Sequence, residues 1–395
     1  MKLILTVLAF LSLQVALSDD VGRLYEWSKI DIVGVRPSVY DSSNIIPTGV
    51  AYDADSKMLF FGLPRKYSKV PITVAQLSTR SYNSAERRDP PLDKFSGKSK
   101  KPLTSVYQPV IDDCRRLWVL DVGIVEVKAE RKTYPTKNPA LVAFDLTKPD
   151  YPEIHRYELT GDAAKTPLGY GGFAVDVVNP KKCGKNDEKT YVYIANFVEN
   201  SLIVYDKKKS DAWVLKDDSF KPEGVSTYTH NGKEHELKTG IFGIALGDRN
   251  KEGNRPAYYL AGSSTKLYRL DTKLLKKKGS KLVPKLIGDR GYKTEAIALA
   301  YDPETKVLFF AETDSRQVSC WNIKKELKPE NVGVIYSSAK LNFATDMMVD
   351  SKGFLWFMSN GQPPFDEKMK YEDPHIRLMK VKTKKAIKGE KRCQG

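Results

Sequence analysis

Two hydrogen-bonding side chains, Thr345 and Asn360, lie at opposite ends of one short segment, TDMMVDSKGFLWFMSN. Two apolar runs joined by a turn of Asp, Ser, Lys and Gly predict a β-hairpin. Because its strands are antiparallel, the hairpin brings the Thr345 hydroxyl beside the Asn360 amide, with Phe343 close by. This pair suits a small polar ligand, although Thr and Asn also commonly satisfy strand ends and turn amides.

Catalytic constellations are weakly represented in the chain. The four histidines lie apart except for His230 and His235, in a segment, HNGKEH, that we expect to be a polar loop rather than an HExxH helix. No Gly-x-Ser-x-Gly elbow is present, and the GYGG segment (169–172) precedes a strand, which favours a turn over a phosphate loop. A calcium site needs several inward carboxylates, for which only Glu295 and Asp346 are candidates. We therefore expect no catalytic residue, no metal and no cofactor.

The hairpin that carries Thr345 recurs along the chain. A strand, an Asp-containing turn and a second strand appear in six segments: 46–65, 106–123, 171–201, 240–264, 295–315 and 341–365. The turns recur at intervals of roughly 50 to 70 residues, and each hairpin is followed by material for two more strands. The pattern predicts an all-β, six-bladed β-propeller of four-stranded antiparallel blades around a central ligand channel. A solenoid is disfavoured because no helical periodicity accompanies the strands.

In such a ring, the inner strand of each blade starts on the same face on which the second strand ends. The predicted wall of the channel is therefore aromatic, hydroxyl and amide in character, with few charges. Its candidate ligand-binding residues are Thr48, Phe173, Phe197, Phe242, Glu295, Phe343, Thr345 and Asn360. Each phenylalanine taken singly also fits core packing, and Glu295 also fits an ion pair with a lysine.

The first 18 residues have the composition of a secretory signal peptide: Lys2, an apolar run and a small-residue cleavage site. Residues 19–395 are then one propeller domain with a basic C-terminal tail. The segment 24–33 reads as an isolated strand of the kind that closes a ring. We expect a secreted, extracellular monomer with no membrane span.

The four cysteines test this layout, since four allow three disulfide connectivities. Cys114 and Cys183 fall in the inner-hairpin turns of neighbouring repeats, which puts them on one face of the ring. Cys320, in a third strand, is left for Cys393 in the tail. We predict the disulfides Cys114–Cys183 and Cys320–Cys393.

The formal net charge is +16, and lysine runs fall in predicted loops and the tail. Solvated loop charge explains any one run, but together the runs make weak contact with a polyanion such as heparin plausible. The interleaved basic and aromatic residues of a nucleic-acid platform are missing, so sequence-specific nucleic-acid binding is not expected.

The hairpins YQPVIDDCRRLWVLDVG and FATDMMVDSKGFLWFMSNGQPPF, the segment GGFAVDVV and the cysteine spacing resemble the Yellow/major royal jelly protein family. Being short, basic and free of N-glycosylation sequons, the chain is most similar to the salivary Yellow-related proteins of blood-feeding sand flies. The resemblance implies a six-bladed propeller whose axial pocket binds and scavenges biogenic amines, such as serotonin, catecholamines and histamine. It also implies that Thr345 and Asn360 match polar ligand-contacting positions. Insect Yellow proteins are linked to dopachrome conversion as well, so the family leaves an enzyme of melanin synthesis as an alternative, beside a polyanion-binding or immunomodulatory surface protein.

Overall fold

The computed structural model describes residues 21–81, 88–127, 132–230, 232–361 and 374–395. The predicted signal peptide lies outside these residues and stays a prediction. Regular structure in the described chain is almost entirely β, in six four-stranded antiparallel sheets. The prediction of a six-bladed propeller is confirmed.

Each four-stranded sheet is one blade, and in blades 1 to 5 the strands follow one another in chain order from the centre outward. Ahead of the first blade lies β1 (Gly22–Trp27). Blade 1 contains β2 (Gly49–Asp53), β3 (Met58–Gly62), β4 (Val74–Ser78) and β5 (Asp93–Lys94). Blade 2 contains β6 (Val106–Ile111), β7 (Arg116–Asp121), β10 (Ala140–Asp145) and β11 (Glu153–Glu158), with the hairpin β8 (Ile124–Val127) and β9 (Lys132–Pro135) inserted after β7.

Blade 3 contains β12 (Tyr170–Val177), β13 (Thr190–Asn196), β14 (Ser201–Asp206) and β15 (Asp211–Lys216). A second extra hairpin, β16 (Ser226–His230) and β17 (Lys233–Leu237), follows it. Blade 4 contains β18 (Ile241–Leu246), β19 (Pro256–Ala261), β20 (Lys266–Asp271) and β21 (Lys285–Asp289). Blade 5 contains β22 (Ala296–Asp302), β23 (Val307–Glu312), β24 (Gln317–Asn322) and β25 (Gly333–Ser337). Blade 6 contains β26 (Ala344–Val349), β27 (Phe354–Ser359) and β28 (Ile376–Lys382).

The ring is closed by β1, which supplies the fourth strand of blade 6. It pairs antiparallel with β28 from Gly22 opposite Lys380 to Trp27 opposite Ile376. The Trp27 ring is 1% exposed and packs edge-on against Phe61 of blade 1, with 5.9 Å between ring centres. The predicted closing strand is therefore confirmed, although it starts and ends earlier than the segment 24–33. Hydrogen bonding of the two chain ends in one blade is what holds the ring shut.

The turn between the first two strands of a blade is organised by an aspartate. In blade 6, the Asp350 carboxylate accepts hydrogen bonds from the amides of Lys352 and Phe354, at 2.8 and 3.0 Å, and from the Trp356 indole at 2.8 Å. In blade 2 the corresponding residue is Asp112, which accepts hydrogen bonds from the turn amides of Cys114 and Arg116 and from the Trp118 indole at 2.7 Å. The repeat in the sequence thus follows from a turn that must satisfy its own backbone amides.

Both predicted disulfides are confirmed. Cys114–Cys183 joins the turn of blade 2 to that of blade 3, with 5.5 Å between the Cα atoms. Cys320–Cys393 fastens the C-terminal tail to β24, with a Cα separation of 5.8 Å. Two short helices, α1 (Thr272–Leu275) and α2 (Thr383–Ala386), follow β20 and β28. Among the described residues no helix has the length and apolar character needed to cross a bilayer.

Candidate functional site

The six inner strands surround a cavity of about 590 Å³. Each inner strand contacts the inner strand of the next blade, and β26 contacts β2, so the wall is continuous around the axis. Every blade contributes lining residues. The volume lies within the ~300–1,000 Å³ range of small-molecule sites in proteins.

Five of the six inner strands carry a β-bulge near their start. The extra residues lie between Val106 and Pro109, Tyr170 and Phe173, Ile241 and Gly243, Ala296 and Ala298, and Ala344 and Asp346. A bulge leaves one residue out of the ladder and redirects side chains locally. All of the residues within the bulges line the cavity: Tyr107, Gln108, Gly171, Gly172, Phe242, Ile297 and Thr345. The bulges therefore add side chains to the wall beside those of the regularly paired residues of the inner strands.

The four predicted phenylalanines all line the cavity. The rings of Phe197 and Phe242 are stacked at 5.1 Å between centres and 25° between planes. A Cβ on Gly172 would come within 3.0 Å of the Phe242 carbonyl oxygen, so glycine there lets β12 approach β18. Phe343 adopts a left-handed backbone conformation (φ 54°), which is uncommon for a bulky residue. Strained backbone of this kind is concentrated at functional sites.

The predicted hydrogen-bonding residues divide into two groups. Thr48 and Thr345 line the cavity, whereas Asn360 and Glu295 are absent from its wall. Asn360 is fully buried, and its side-chain amide donates to the Pro47 carbonyl at 2.9 Å, which ties blade 6 to the start of blade 1. Glu295 contributes its carbonyl to the Thr313 amide at 3.0 Å. Ligand binding by these four residues stays a prediction.

The two threonines of the wall differ in how their hydroxyls are satisfied. The Thr48 hydroxyl donates to the Tyr107 carbonyl at 2.7 Å. The Thr345 hydroxyl is buried and has no hydrogen-bond partner in the described part of the chain. A buried hydroxyl without a partner is costly, by about 1–3 kcal/mol. The wall thus holds one hydroxyl whose hydrogen bonds are still to be made.

Asp346, the residue after Thr345, lies in the wall and is 2% exposed. Its carboxylate accepts hydrogen bonds from the Val50 amide at 2.8 Å, the Gln108 side-chain amide at 2.6 Å and its neighbour Met347 at 2.9 Å. Burial raises the pKa of Asp346 to about 7, against the lowering effect of these three donors. Gln108 also accepts from the Phe173 amide at 3.3 Å, so this network joins blades 1, 2, 3 and 6.

One corner of the cavity is formed by Lys66, Tyr107 and Glu126. The Tyr107 hydroxyl donates to the Glu126 carboxylate, and the Lys66 ammonium lies 4.8 Å from the centre of the Tyr107 ring. Burial raises the pKa of Tyr107 well above its usual value and lowers that of Lys66, for which the Glu126 charge compensates in part. Glu126 belongs to the extra hairpin β8–β9 rather than to a blade.

At the other end of the inner strands, the charged lining residues Asp112, Asp113 and Arg255 each have a partner. Asp112 binds Arg116 at 2.6 Å, and Asp113 forms an ion pair with Arg249 of blade 4. Arg255 donates to the carbonyls of Gly247 and Leu246 at 2.8 and 3.2 Å.

The second extra hairpin covers part of the cavity. Tyr228 of β16 packs edge-on against Phe343 at 5.0 Å between ring centres, and Leu237 of β17 lines the wall. The expectation of a polar loop at 230–235 is therefore wrong, since β16 and β17 pair across this segment. The expectation of a turn at 169–172 is also wrong, because β12 begins at Tyr170 and its two glycines form the bulge.

Sequence reasoning missed Lys66, Tyr107 and Glu126. They lie in a loop, within a bulge and on an inserted hairpin, and none of these positions repeats from blade to blade. No repeated sequence pattern pointed to these three residues, although Gln108, next to Tyr107, falls at the start of the second predicted inner strand.

Comparison with known proteins agrees with this architecture. The pattern of the major royal jelly protein family matches residues 104–393. Yellow-related salivary protein M10 of Phlebotomus duboscqi is 59% identical over 391 residues, covering 98% of both chains. The corresponding protein ASP4 of Phlebotomus orientalis is 54% identical, over 99% of this chain and 98% of the relative. LJM11 of Lutzomyia longipalpis is 49% identical, over 98% of each.

A solved structure of a protein of unknown function from Bacteroides thetaiotaomicron superposes with a TM-score of 0.52 over 91% of this chain and 75% of its own, at 10% identity, which supports the fold alone. Salivary relatives and two disulfides fit an extracellular protein. From the family match and the full-length identity to sand-fly relatives, the chain belongs to the major royal jelly protein family, with the Yellow-related salivary proteins.

Proposed function

We propose that this protein is secreted in saliva and sequesters small biogenic amines, such as serotonin, catecholamines and histamine, in the cavity at the centre of the propeller. The observation that carries the proposal is the composition of the wall, in which four phenylalanine rings are combined with hydroxyl and amide groups. An aromatic amine needs both kinds of contact, because its ring is apolar and its ammonium and ring hydroxyls are not.

The stacked rings of Phe197 and Phe242 offer a flat surface on the side of blades 3 and 4. An indole or catechol ring stacks on such a surface, and an ammonium group over a phenylalanine face gains a cation–π interaction. The uncompensated hydroxyl of Thr345 is a hydrogen-bonding group for the polar end of the ligand.

Calorimetric titration with serotonin tests the proposal. We expect one molecule bound per chain, and Phe242→Ala to weaken binding by about 0.5–1.5 kcal/mol, or roughly 2- to 12-fold, because one stacking partner is lost. Tyr292→Ala is the matched control, since this aromatic side chain is 88% exposed and lies outside the wall. Absence of heat at micromolar protein, confirmed by equilibrium dialysis, would reject amine binding.

We also propose that the protein acts by binding rather than catalysis. The alternative, a dopachrome-converting enzyme, is decided by following dopachrome absorbance with the protein present at a small fraction of the substrate. A scavenger can bind no more than one dopachrome molecule per chain, so the change in absorbance cannot exceed that of an equimolar amount of dopachrome. Many turnovers per chain would instead establish an enzyme.

A second activity, weak adhesion to polyanions, is favoured by a cluster of lysines on blades 1 and 6. The ammonium groups of Lys380 and Lys382 lie 4.2 and 4.8 Å from the centre of the same ring, that of Phe354. Burial lowers the pKa of Lys380, and the nearby charges of Lys57 and Lys382 lower it further. Like charges held this close attract a sulfated polysaccharide.

Elution from immobilised heparin tests this second activity. The double variant Lys57→Gln, Lys382→Gln should elute at lower salt than wild type while serotonin binding is retained. Lys221→Gln, which removes an exposed lysine paired with Asp218 at 2.6 Å, is the control. Equal elution of all three proteins would reject the cluster as the site of adhesion.

A further inference from the structure

Among the residues that the structure describes, four carboxylates line the cavity, and three of them have a partner that balances their charge. Asp112 pairs with Arg116, Asp113 pairs with Arg249, and Glu126 accepts a hydrogen bond from the Tyr107 hydroxyl and lies near the Lys66 charge. Asp346, by contrast, forms no ion pair with any residue that the structure describes. Its three donors are two backbone amides and a neutral side-chain amide.

This arrangement satisfies the hydrogen bonds of the Asp346 carboxylate but leaves its charge uncompensated. Amide donors stabilise the ionised carboxylate through their dipoles, yet none of its three partners carries a charge, so the ionised form has no counter-charge in this buried wall. Such a charge strongly attracts a cation that enters the cavity.

We propose that Asp346 is the counter-ion for the ammonium group of a bound amine, and that amine binding is coupled to release of a proton from this carboxyl group. The inference rests on the proposed function, which it makes specific: the cavity selects cationic over neutral aromatic ligands.

The direction of the coupling follows from the state of the free protein. With its pKa raised to about 7 by burial, Asp346 is partly protonated at neutral pH. An ammonium group beside it favours the ionised form and lowers this pKa. The complex therefore holds fewer protons than the free protein, so affinity should fall by up to about tenfold per pH unit below 7 and level off above it.

Other titratable groups around Asp346 are engaged elsewhere. From the inner strands and their ends, Tyr107 binds Glu126, Asp112 binds Arg116, Asp53 binds Arg115, Asp176 binds Lys276, and Tyr301 binds Asp248. Tyr52 of β2 packs against Trp356 with 4.4 Å between ring centres, while Asp302 and Asp350 accept hydrogen bonds from the amides of their own turns. At the mouth, His235 lies 5.4 Å from the Tyr228 ring, so a histidine variant is needed as a control.

Calorimetry of wild-type protein tests the coupling without any substitution. Serotonin, whose primary ammonium stays protonated below pH 9, is titrated at pH 7 in buffers of different ionisation enthalpy, and again between pH 5.5 and 8. We expect release of about half a proton per amine at pH 7, and the pH profile described above. His235→Gln should retain both the proton release and the pH profile of wild type. The matched neutral ligand is 5-hydroxytryptophol, which carries a hydroxyl where serotonin has its ammonium. It should bind with no proton release and no pH dependence between 5.5 and 8.

Substitution of Asp346 then tests whether the proton released on amine binding comes from this residue. Asp346→Asn should abolish proton release and bring the affinities for serotonin and 5-hydroxytryptophol close together, while Asp218→Asn, at a side chain 92% exposed, should change neither. Serotonin binding with no proton release and a flat pH profile would overturn the role of Asp346 and leave amine binding standing. Absence of any amine binding would reject the proposed function and this inference together. If Asp346→Asn does not fold, the wild-type measurements and His235→Gln still decide the question.

Discussion

Thr345 and Thr48 form a matched pair of cavity-lining threonines. Comparing them measures how much stability the protein loses by keeping an unpartnered hydroxyl available for a ligand. Both line the cavity at the start of an inner strand. The Thr48 hydroxyl is satisfied by the Tyr107 carbonyl at 2.7 Å, whereas the buried Thr345 hydroxyl has no partner in the described structure. Valine has nearly the shape of threonine and the same β-branching, so Thr→Val removes the hydroxyl at each site with little change in packing.

The two substitutions should have opposite effects on stability. Thr345→Val removes an uncompensated buried hydroxyl, and we expect the free energy of unfolding to rise by about 1 kcal/mol. Thr48→Val deletes a hydrogen bond and leaves the Tyr107 carbonyl without its side-chain donor, so the same quantity should fall by about 1 kcal/mol. Urea unfolding followed by tryptophan fluorescence measures both at one pH.

Serotonin affinity should be weakened mainly by Thr345→Val, the substitution that is expected to stabilise the fold. The Thr345 hydroxyl is covered by surrounding atoms in the free protein, and we expect rotation about its Cα–Cβ bond to turn it towards a bound ligand. Losing that hydrogen bond should weaken binding by about 0.5–1.5 kcal/mol, or roughly 2- to 12-fold. Thr48→Val should change affinity by less, because its hydroxyl is already used. A Thr345→Val protein that is less stable than wild type, or that binds serotonin equally well, would refute the reasoning.

Two further predictions concern the frame of the ring. Replacing Cys114 and Cys183 by alanine should lower the free energy of unfolding by about 4 kcal/mol, since the bond closes a loop with a sequence separation of 69; urea unfolding that changes by less than 1 kcal/mol would contradict this. Burial, with help from the charges of Lys207 and Arg116, lowers the pKa of His155 from 6.5 to about 4. Its neutral form therefore contributes stability that is complete above pH 6.5 and is lost as the pH falls towards 4. His155→Gln should flatten this part of the stability profile, and an NMR titration midpoint near 6.5 for His155 would argue against the burial.

Blade number and disulfide pairing could be predicted from the sequence because both depend on a repeated local unit. Each inner hairpin needs a polar turn that caps its own amides, and the aspartates that do so, such as Asp350 and Asp112, recur visibly. Once the turns are aligned, Cys114 and Cys183 occupy equivalent places in adjacent blades. Closure by β1 was predictable for a similar reason, since a strand without a neighbouring partner must pair with a distant one.

The wall of the cavity was predicted only in part. Six of the eight expected residues line it, but Asn360 and Glu295 do not. Asn360 follows β27 and Glu295 precedes β22, and both are used at these strand ends to hold neighbouring backbone, through Pro47 and Thr313 respectively. Whether a residue just outside a strand faces the axis depends on how the blades pack, which the repeated hairpin pattern does not specify.

The amino-acid sequence by itself determined the recurring hairpin, the number of blades, the two disulfides and the aromatic lining of the central cavity. Each of these follows from a local pattern that can be aligned from one repeat to the next. Only the tertiary structure decided which polar groups share the cavity. Asp346 meets Val50 and Gln108, and Tyr107 meets Glu126, through closure of the ring and an inserted hairpin. Contacts between residues so distant in the chain depend on blade geometry and strand register, which no local pattern encodes.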